Sequence, residues 1–134
     1  MTAFFDTNVL VYAQQNGPKA DRARALLERG GMISVQVLNE FTAVSRRKLG
    51  KEWREIAGAI DDALVLVGPP VPLTLELHVA ARALAETYQL SFYDALIAAA
   101  AIDAGCDTLY SEDMQHGQVI GAVRIQSPFI ESPP

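Results

Sequence analysis

The sequence predicts an α/β fold, a three-layer α/β/α sandwich with a central parallel sheet, and three observations carry that prediction. Short apolar runs alternate with segments whose apolar residues recur at helical spacing, the order that gives parallel strands joined by right-handed crossovers. One helical segment, Ala95 to Ala104, is alanine-rich and nearly free of polar positions, which places it centrally rather than on the surface. No repeat and no second domain divides the 134 residues, so residues 1–134 form one domain long enough to bury a sizeable core.

Taken in order, residues 2–6 read as the first strand. Asn8 to Ala13 reads as a short helix, broken by Asn16-Gly17-Pro18. Lys19 to Arg29 sets Ala23, Ala25, Leu26 and Leu27 among charges, which is a surface helix, and Gly30-Gly31 ends it. Met32 to Val35 is expected to be a short strand, followed by a helix to about Leu49 that Gly50 stops. Glu52 to Val67 makes the next helix, and Gly68-Pro69-Pro70-Val71-Pro72 breaks the chain before a brief extended piece at Val71–Leu73. Glu76 to Tyr88 carries Leu77, Ala80, Ala81, Leu84 and Ala85 as one helical stripe. Ser91-Phe92-Tyr93-Asp94 introduces the alanine-rich helix, closed by Gly105. Thr108–Tyr110 and Val123–Ile125 are the last strands, and 127–134 is expected to be a loose, proline-bearing tail.

The composition, 50% hydrophobic and 20% charged, is that of a globular protein. No apolar run reaches the length of a membrane span, and no basic segment or cleavage pattern marks a secretory signal. The single cysteine, Cys106, excludes an internal disulfide framework and fits a reducing compartment; it reads as a small buried apolar residue. The expected location is the cytoplasm. A net charge of −5 argues against nucleic-acid binding by a globally basic surface. Yet five of the 11 basic residues fall within nine positions: Arg46, Arg47, Lys48, Lys51 and Arg54. They form either a solvated helix–turn–helix surface or a local phosphate-docking patch.

Most of the 16 acids lie on mixed-charge helices, but four do not. Asp6 ends an apolar strand, where it is either a helix N-cap or a group projecting into the crevice beyond the strand ends. Glu40 lies beside the stripe of Val37, Phe41 and Val44, with no cation at helical spacing; it either snorkels from the stripe or serves a site. Asp94 stands fourth in Ser91-x-x-Asp94, a capping-box pattern at the head of a helix too apolar for the surface. Asp113 follows the strand Thr108–Tyr110 and is either a turn former or a site member, with Glu112 as its competitor. In a parallel α/β sheet all four face one edge. Clustered carboxylates raise one another's pKa values, and a hard divalent cation such as Mg²⁺ or Mn²⁺ relieves that repulsion.

With these residues in place the sequence resembles the PIN-domain ribonucleases, and among them the VapC toxins of type II toxin–antitoxin pairs. The resemblance rests on Phe5-Asp6-Thr7-Asn8-Val9-Leu10, Gln36-Val37-Leu38-Asn39-Glu40-Phe41, Tyr93-Asp94-Ala95-Leu96-Ile97 and Leu109-Tyr110-Ser111-Glu112-Asp113-Met114, in that order over nearly the whole chain. It implies a metal-dependent endoribonuclease whose acids are Asp6, Glu40, Asp94 and Asp113. Asp6, Asp94 and Asp113 would hold Mg²⁺ or Mn²⁺, and Glu40 would be a ligand or a base that orients water. Asn8 and Ser111 match positions that steady the acids by hydrogen bonds. The resemblance also implies an antitoxin protein that covers the acidic crevice, and a homodimer. The run Arg46, Arg47, Lys48 and Lys51 is then expected to dock the RNA backbone. No histidine is required: His78 and His116 read as structural or solvent-facing. Trp53 reads as a packing or interface residue, with base stacking as the alternative.

Two further classes compete. An aspartyl phosphatase or receiver-type domain also places an Asp after strand one, but position 8 is Asn where such phosphatases carry a second Asp, and no late lysine is suitably placed. A PIN scaffold without activity, binding only RNA or protein, would not need the complete acid set.

Overall fold

The computed structural model describes residues 2–130. Its elements are β1 (Ala3–Phe5), α1 (Thr7–Ala13), α2 (Pro18–Glu28), α3 (Val35–Arg47), α4 (Trp53–Val67), α5 (Leu75–Tyr88), α6 (Phe92–Asp103), β2 (Thr108–Tyr110), β3 (Val119–Ile120) and β4 (Val123–Gln126). The α/β class holds, with a four-stranded sheet in the order β1-β2-β4-β3. β1–β2 and β2–β4 are parallel, Phe5 lying opposite Tyr110 and Tyr110 opposite Gln126. The expected central parallel sheet is present, and one edge adds an antiparallel pair, β3 with β4. The turn between them is Gly121-Ala122, and Gly121 has φ +58°, the left-handed backbone that such a tight hairpin needs.

Every residue of β1 and of β2 is buried, as parallel strands covered on both faces must be. The open side of β1 is closed by Met32, whose carbonyl accepts from Phe5 N–H and whose N–H donates to Ala3 O, both at 2.9 Å. Gly31 makes that approach possible: a Cβ there would stand 2.5 Å from Phe5 Cε2 and 2.8 Å from Ala3 O. The expected strand Met32–Val35 therefore reduces to two single bridges, Phe4–Met32 and Ser34–Val71. The physical reason is that Ser34 is already the N-cap of α3, accepting from Val37 N–H at 3.3 Å, and Val35 is already helical.

Local signals set the helix starts. Thr74 caps α5 and Ser91 caps α6, each through its hydroxyl oxygen, while Glu52 and Glu55 form a capping box on α4. Such caps contribute about 1 kcal/mol each. In α6, Ala95 to Ala101 are buried without exception, which lets the helix lie close on β2 and β4 with α5 packed behind it. The α1, α2, α3 and α4 helices pack on one another. Phe4, Phe5, Ile97, Leu109 and Ile125 are fully buried at the junction. Burial of each such side chain contributes roughly 1.5–3 kcal/mol.

The tail is corrected as far as it is described. Ser127 and Pro128 are buried, Arg22 Nε donates to Pro128 O, and Gln126 Nε2 donates to Ile130 O. Residues 127–130 are thus held; the rest of the expected tail, 131–134, lies outside the described residues.

Candidate active site

Asp6 follows β1 and caps α1, as the capping reading of the sequence has it. Its Oδ1 accepts from Thr7 N–H at 2.7 Å, and its Oδ2 accepts from the Ser111 hydroxyl at 2.6 Å. The strand pairing fixes this meeting, because Asp6 N–H donates to Tyr110 O and Ser111 N–H donates to Gln126 O. Only 2% of Asp6 is exposed. That burial pushes its pKa up to about 7, against the pull of the Ser111 and Thr7 hydrogen bonds and with help from the charges of Asp94 and Asp113.

Asn8, the second residue of α1, extends its amide to two acids: Nδ2 lies 3.2 Å from Asp113 Oδ2 and 3.5 Å from Asp6 Oδ2. Its Oδ1 accepts from Glu112 N–H, so the same side chain ties the 111–113 loop to α1. Glu40 is half-buried on α3 and is not without partners. Gln36 Nε2 donates to it at 3.0 Å and Thr7 Oγ1 at 3.3 Å. Burial nonetheless raises its pKa, the two hydrogen bonds opposing and Asp94 and Asp113 adding to the rise. Asp94 uses its backbone N–H, not its carboxylate, in the cap with Ser91. Its pKa is raised by burial first and by Asp113 besides.

The four carboxylates therefore lie within one electrostatic neighbourhood. Among the described residues no ion pair reaches any of them, and no three acidic, histidine or cysteine side chains stand close enough to cage one ion as they are placed. A set of oxygen donors under mutual repulsion, with only neutral hydrogen-bond donors around it, matches the chemistry of a hard divalent cation.

Residues 3–120 match the family model of the PIN domain. The chain belongs to the PIN domain family. No curated protein matches the sequence. Three solved structures share the PIN fold with it. A toxin–antitoxin complex from Klebsiella pneumoniae superposes with a TM-score of 0.70 at 23% identity, covering 96% of this chain and 98% of that one. VapC20 of Mycobacterium tuberculosis, a sarcin–ricin loop cleaving toxin, gives 0.69 at 22% identity over 84% and 90%. VapBC2 of Rickettsia felis, bound to a DNA fragment from its promoter, gives 0.68 at 21% over 95% and 98%.

In this PIN domain Glu112 points away from the other acids. Tyr12 Oη donates to its Oε1 at 2.8 Å and Lys19 Nζ to its Oε2 at 2.9 Å. Burial alone would raise the Glu112 pKa, but the Lys19 and Tyr12 hydrogen bonds outweigh it and hold the group low. Lys19 in turn lies over the rings of Tyr12 and Phe129. This clamp fastens the loop that carries Ser111 and Asp113. Sequence reasoning missed four of these residues: Thr7, Gln36, Tyr12 and Lys19. Only Gln36 left a signal, four positions before Glu40 on the same helix face.

The histidines take the roles expected of them. His78 packs edge-on against Phe92, and His116 Nδ1 accepts from Ser127 N–H. Cys106 is buried, its Sγ 3.6 Å from Ala3 O. Arg46, Arg47, Lys48 and Lys51 lie where α3 gives way to α4, apart from the acids; Arg47 follows Glu40 by seven positions on α3. Seven residues are about two turns, so both face the same side, roughly 10 Å apart along the axis. Among the described residues, no helix is long and apolar enough to cross a membrane.

Proposed function

We propose that this PIN domain is a metal-dependent endoribonuclease, the toxin of a toxin–antitoxin pair. One observation carries the reading: a nearly fully buried Asp6, with no cation beside it, shares its surroundings with Asp94, Asp113 and Glu40. The likeness to VapC20, a sarcin–ricin loop cleaving toxin, and to two complexes of toxin with antitoxin supports it.

Asp6, Asp94 and Asp113 are the residues that would hold Mg²⁺ or Mn²⁺, which when bound supplies the positive charge needed by both the attacked phosphate and the attacking water. Asn8 and Ser111 keep Asp6 and Asp113 oriented through the hydrogen bonds described above. Glu40, steadied by Gln36 and Thr7, receives the proton from the attacking water. Water oxygen bonds to phosphorus, the bond from phosphorus to the 3′ oxygen breaks, and that oxygen takes up a proton. The products are a 5′-phosphate and a 3′-hydroxyl, with no part for the 2′-hydroxyl. The cytoplasm is its place of action, its partner is an antitoxin protein that covers the crevice, and its assembly is a homodimer.

The test is cleavage of an RNA pool by purified protein, free of antitoxin, with Mg²⁺, with Mn²⁺ and with EDTA, alongside Asp6→Asn. Cutting that needs metal, leaves 5′-phosphates and vanishes in the variant is the expected result. Full activity in Asp6→Asn overturns the assignment, and failure to bind metal at all moves the protein to the class of inactive scaffolds.

A further inference from the structure

The corner between α3 and α4 holds an arrangement that docking of phosphates does not require. Trp53, the first residue of α4, is 63% exposed. The Arg46 guanidinium lies 4.7 Å from the centroid of its ring. That arginine is itself held in place, its Nη1 donating to Lys51 O at 2.9 Å. Arg47, Lys48, Lys51 and Arg54 lie within six positions of Trp53 along the chain. The two acids of the corner are engaged elsewhere: Glu52 and Glu55 hold each other's backbone N–H groups in the capping box. Lys51 approaches Glu55 only at 4.0 Å. Residues 46–55 thus carry a net charge of +3, which leaves −8 for the remainder of a chain whose total is −5.

We propose that Trp53, braced by Arg46, is a stacking platform for one unpaired base of a single-stranded RNA whose phosphates lie on the surrounding cations. Bases stack on exposed aromatic rings with little regard to sequence, and an arginine on the ring strengthens such platforms. A net charge of +3 within ten residues suits this corner to a polyanion. Arg47 links it to the acids, two helical turns from Glu40 along α3. The inference rests on the ribonuclease reading for its ligand and adds a contact to the bases themselves.

Trp53 is the only tryptophan in the chain, so its fluorescence reports on this ring alone. Using Asp6→Asn to prevent cutting, the protein is titrated with a single-stranded oligoadenylate, with the same strand in duplex form, and with inorganic polyphosphate. The single strand should quench the emission, and polyphosphate should bind without quenching. Trp53→Ala should weaken single-strand binding roughly 5- to 100-fold and leave polyphosphate binding unchanged, while Trp53→Phe retains most of the affinity. An absence of quenching, or equal loss for polyphosphate, overturns the proposal. So does a Trp53→Ala protein that changes mass in sedimentation and loses RNA only in step with that change, which assigns the ring to a contact between copies. Cleavage by the unsubstituted protein is scored separately. Quenching without any cleavage retains the platform and removes the nuclease, and cleavage without quenching does the reverse.

Discussion

Replacing Asp6 with Asn removes a charge that the fold buries at a cost. The unperturbed carboxyl titrates at 3.8 and the native one at about 7. Between those values the native state holds a proton that the unfolded chain has lost, so stability falls as pH rises through that window and levels off above it. Integrating the linkage relation gives at most about 3 kcal/mol lost between about pH 5 and about pH 8 from this residue alone. The amide should fit. Its oxygen can still accept from Thr7 N–H, and its NH₂ can donate to Ser111 Oγ, which turns from donor to acceptor and keeps the N–H of Met114. Asp6→Asn should therefore be more stable than the parent at about pH 8 in EDTA, and the gap should narrow by about 3 kcal/mol towards pH 5. Urea unfolding followed by far-ultraviolet circular dichroism measures both slopes. Added Mg²⁺ should raise the stability of the parent by about 2.7 kcal/mol at a hundred times its Kd, and that of the variant far less. A parent whose stability does not change over this range, or a variant with the same pH slope, refutes the account of a buried, unpaired Asp6.

Further outcomes follow from other parts of the structure. Glu112→Gln weakens the clamp on the 111–113 loop and should lower cleavage about tenfold with little change in Tm, since Glu112 is a positioning residue; titrating Mg²⁺ should show the loss as weaker metal dependence. Gly31→Ala places a methyl against Ala3 O and Phe5 and should cost about 1–3 kcal/mol, read as a fall in Tm. Reversing charge at Arg46 and Arg47 should weaken RNA binding and reduce the slope of log affinity against log salt by about 0.7 for each phosphate that is no longer neutralised; an unchanged slope clears the patch of any part in binding.

The parts of the fold that sequence disclosed are those fixed by local rules. Apolar runs located β1, β2 and β4, and Ser91 stands at a helix start because its hydroxyl caps a backbone N–H group. The alanine-rich stretch became the buried α6. What could not be read depends on contacts between distant segments. Met32 is extended because it closes the edge of β1, and Ser34 chose capping over strand pairing. β3 is two residues long and exists only beside β4. The hold on residues 127–130 comes from Arg22 and Gln126. For the acids, a run of residues shows which carboxylates lack a neighbouring cation, but not that Thr7 and Gln36 would donate to Glu40 or that Lys19 would claim Glu112.

The distribution of Asp6, Glu40, Asp94 and Asp113 over almost the full length of the chain also bears on timing. Asp6 acquires its setting only when β1 pairs with β2, and Ser111 is placed only when β2 pairs with β4, which ends at Gln126. A nascent chain still attached to a ribosome has its first carboxylate exposed early but lacks the last one, and the strand that seats it, until residues 111–126 have been made. The site thus assembles late: while the chain is being translated, its four carboxylates cannot come together.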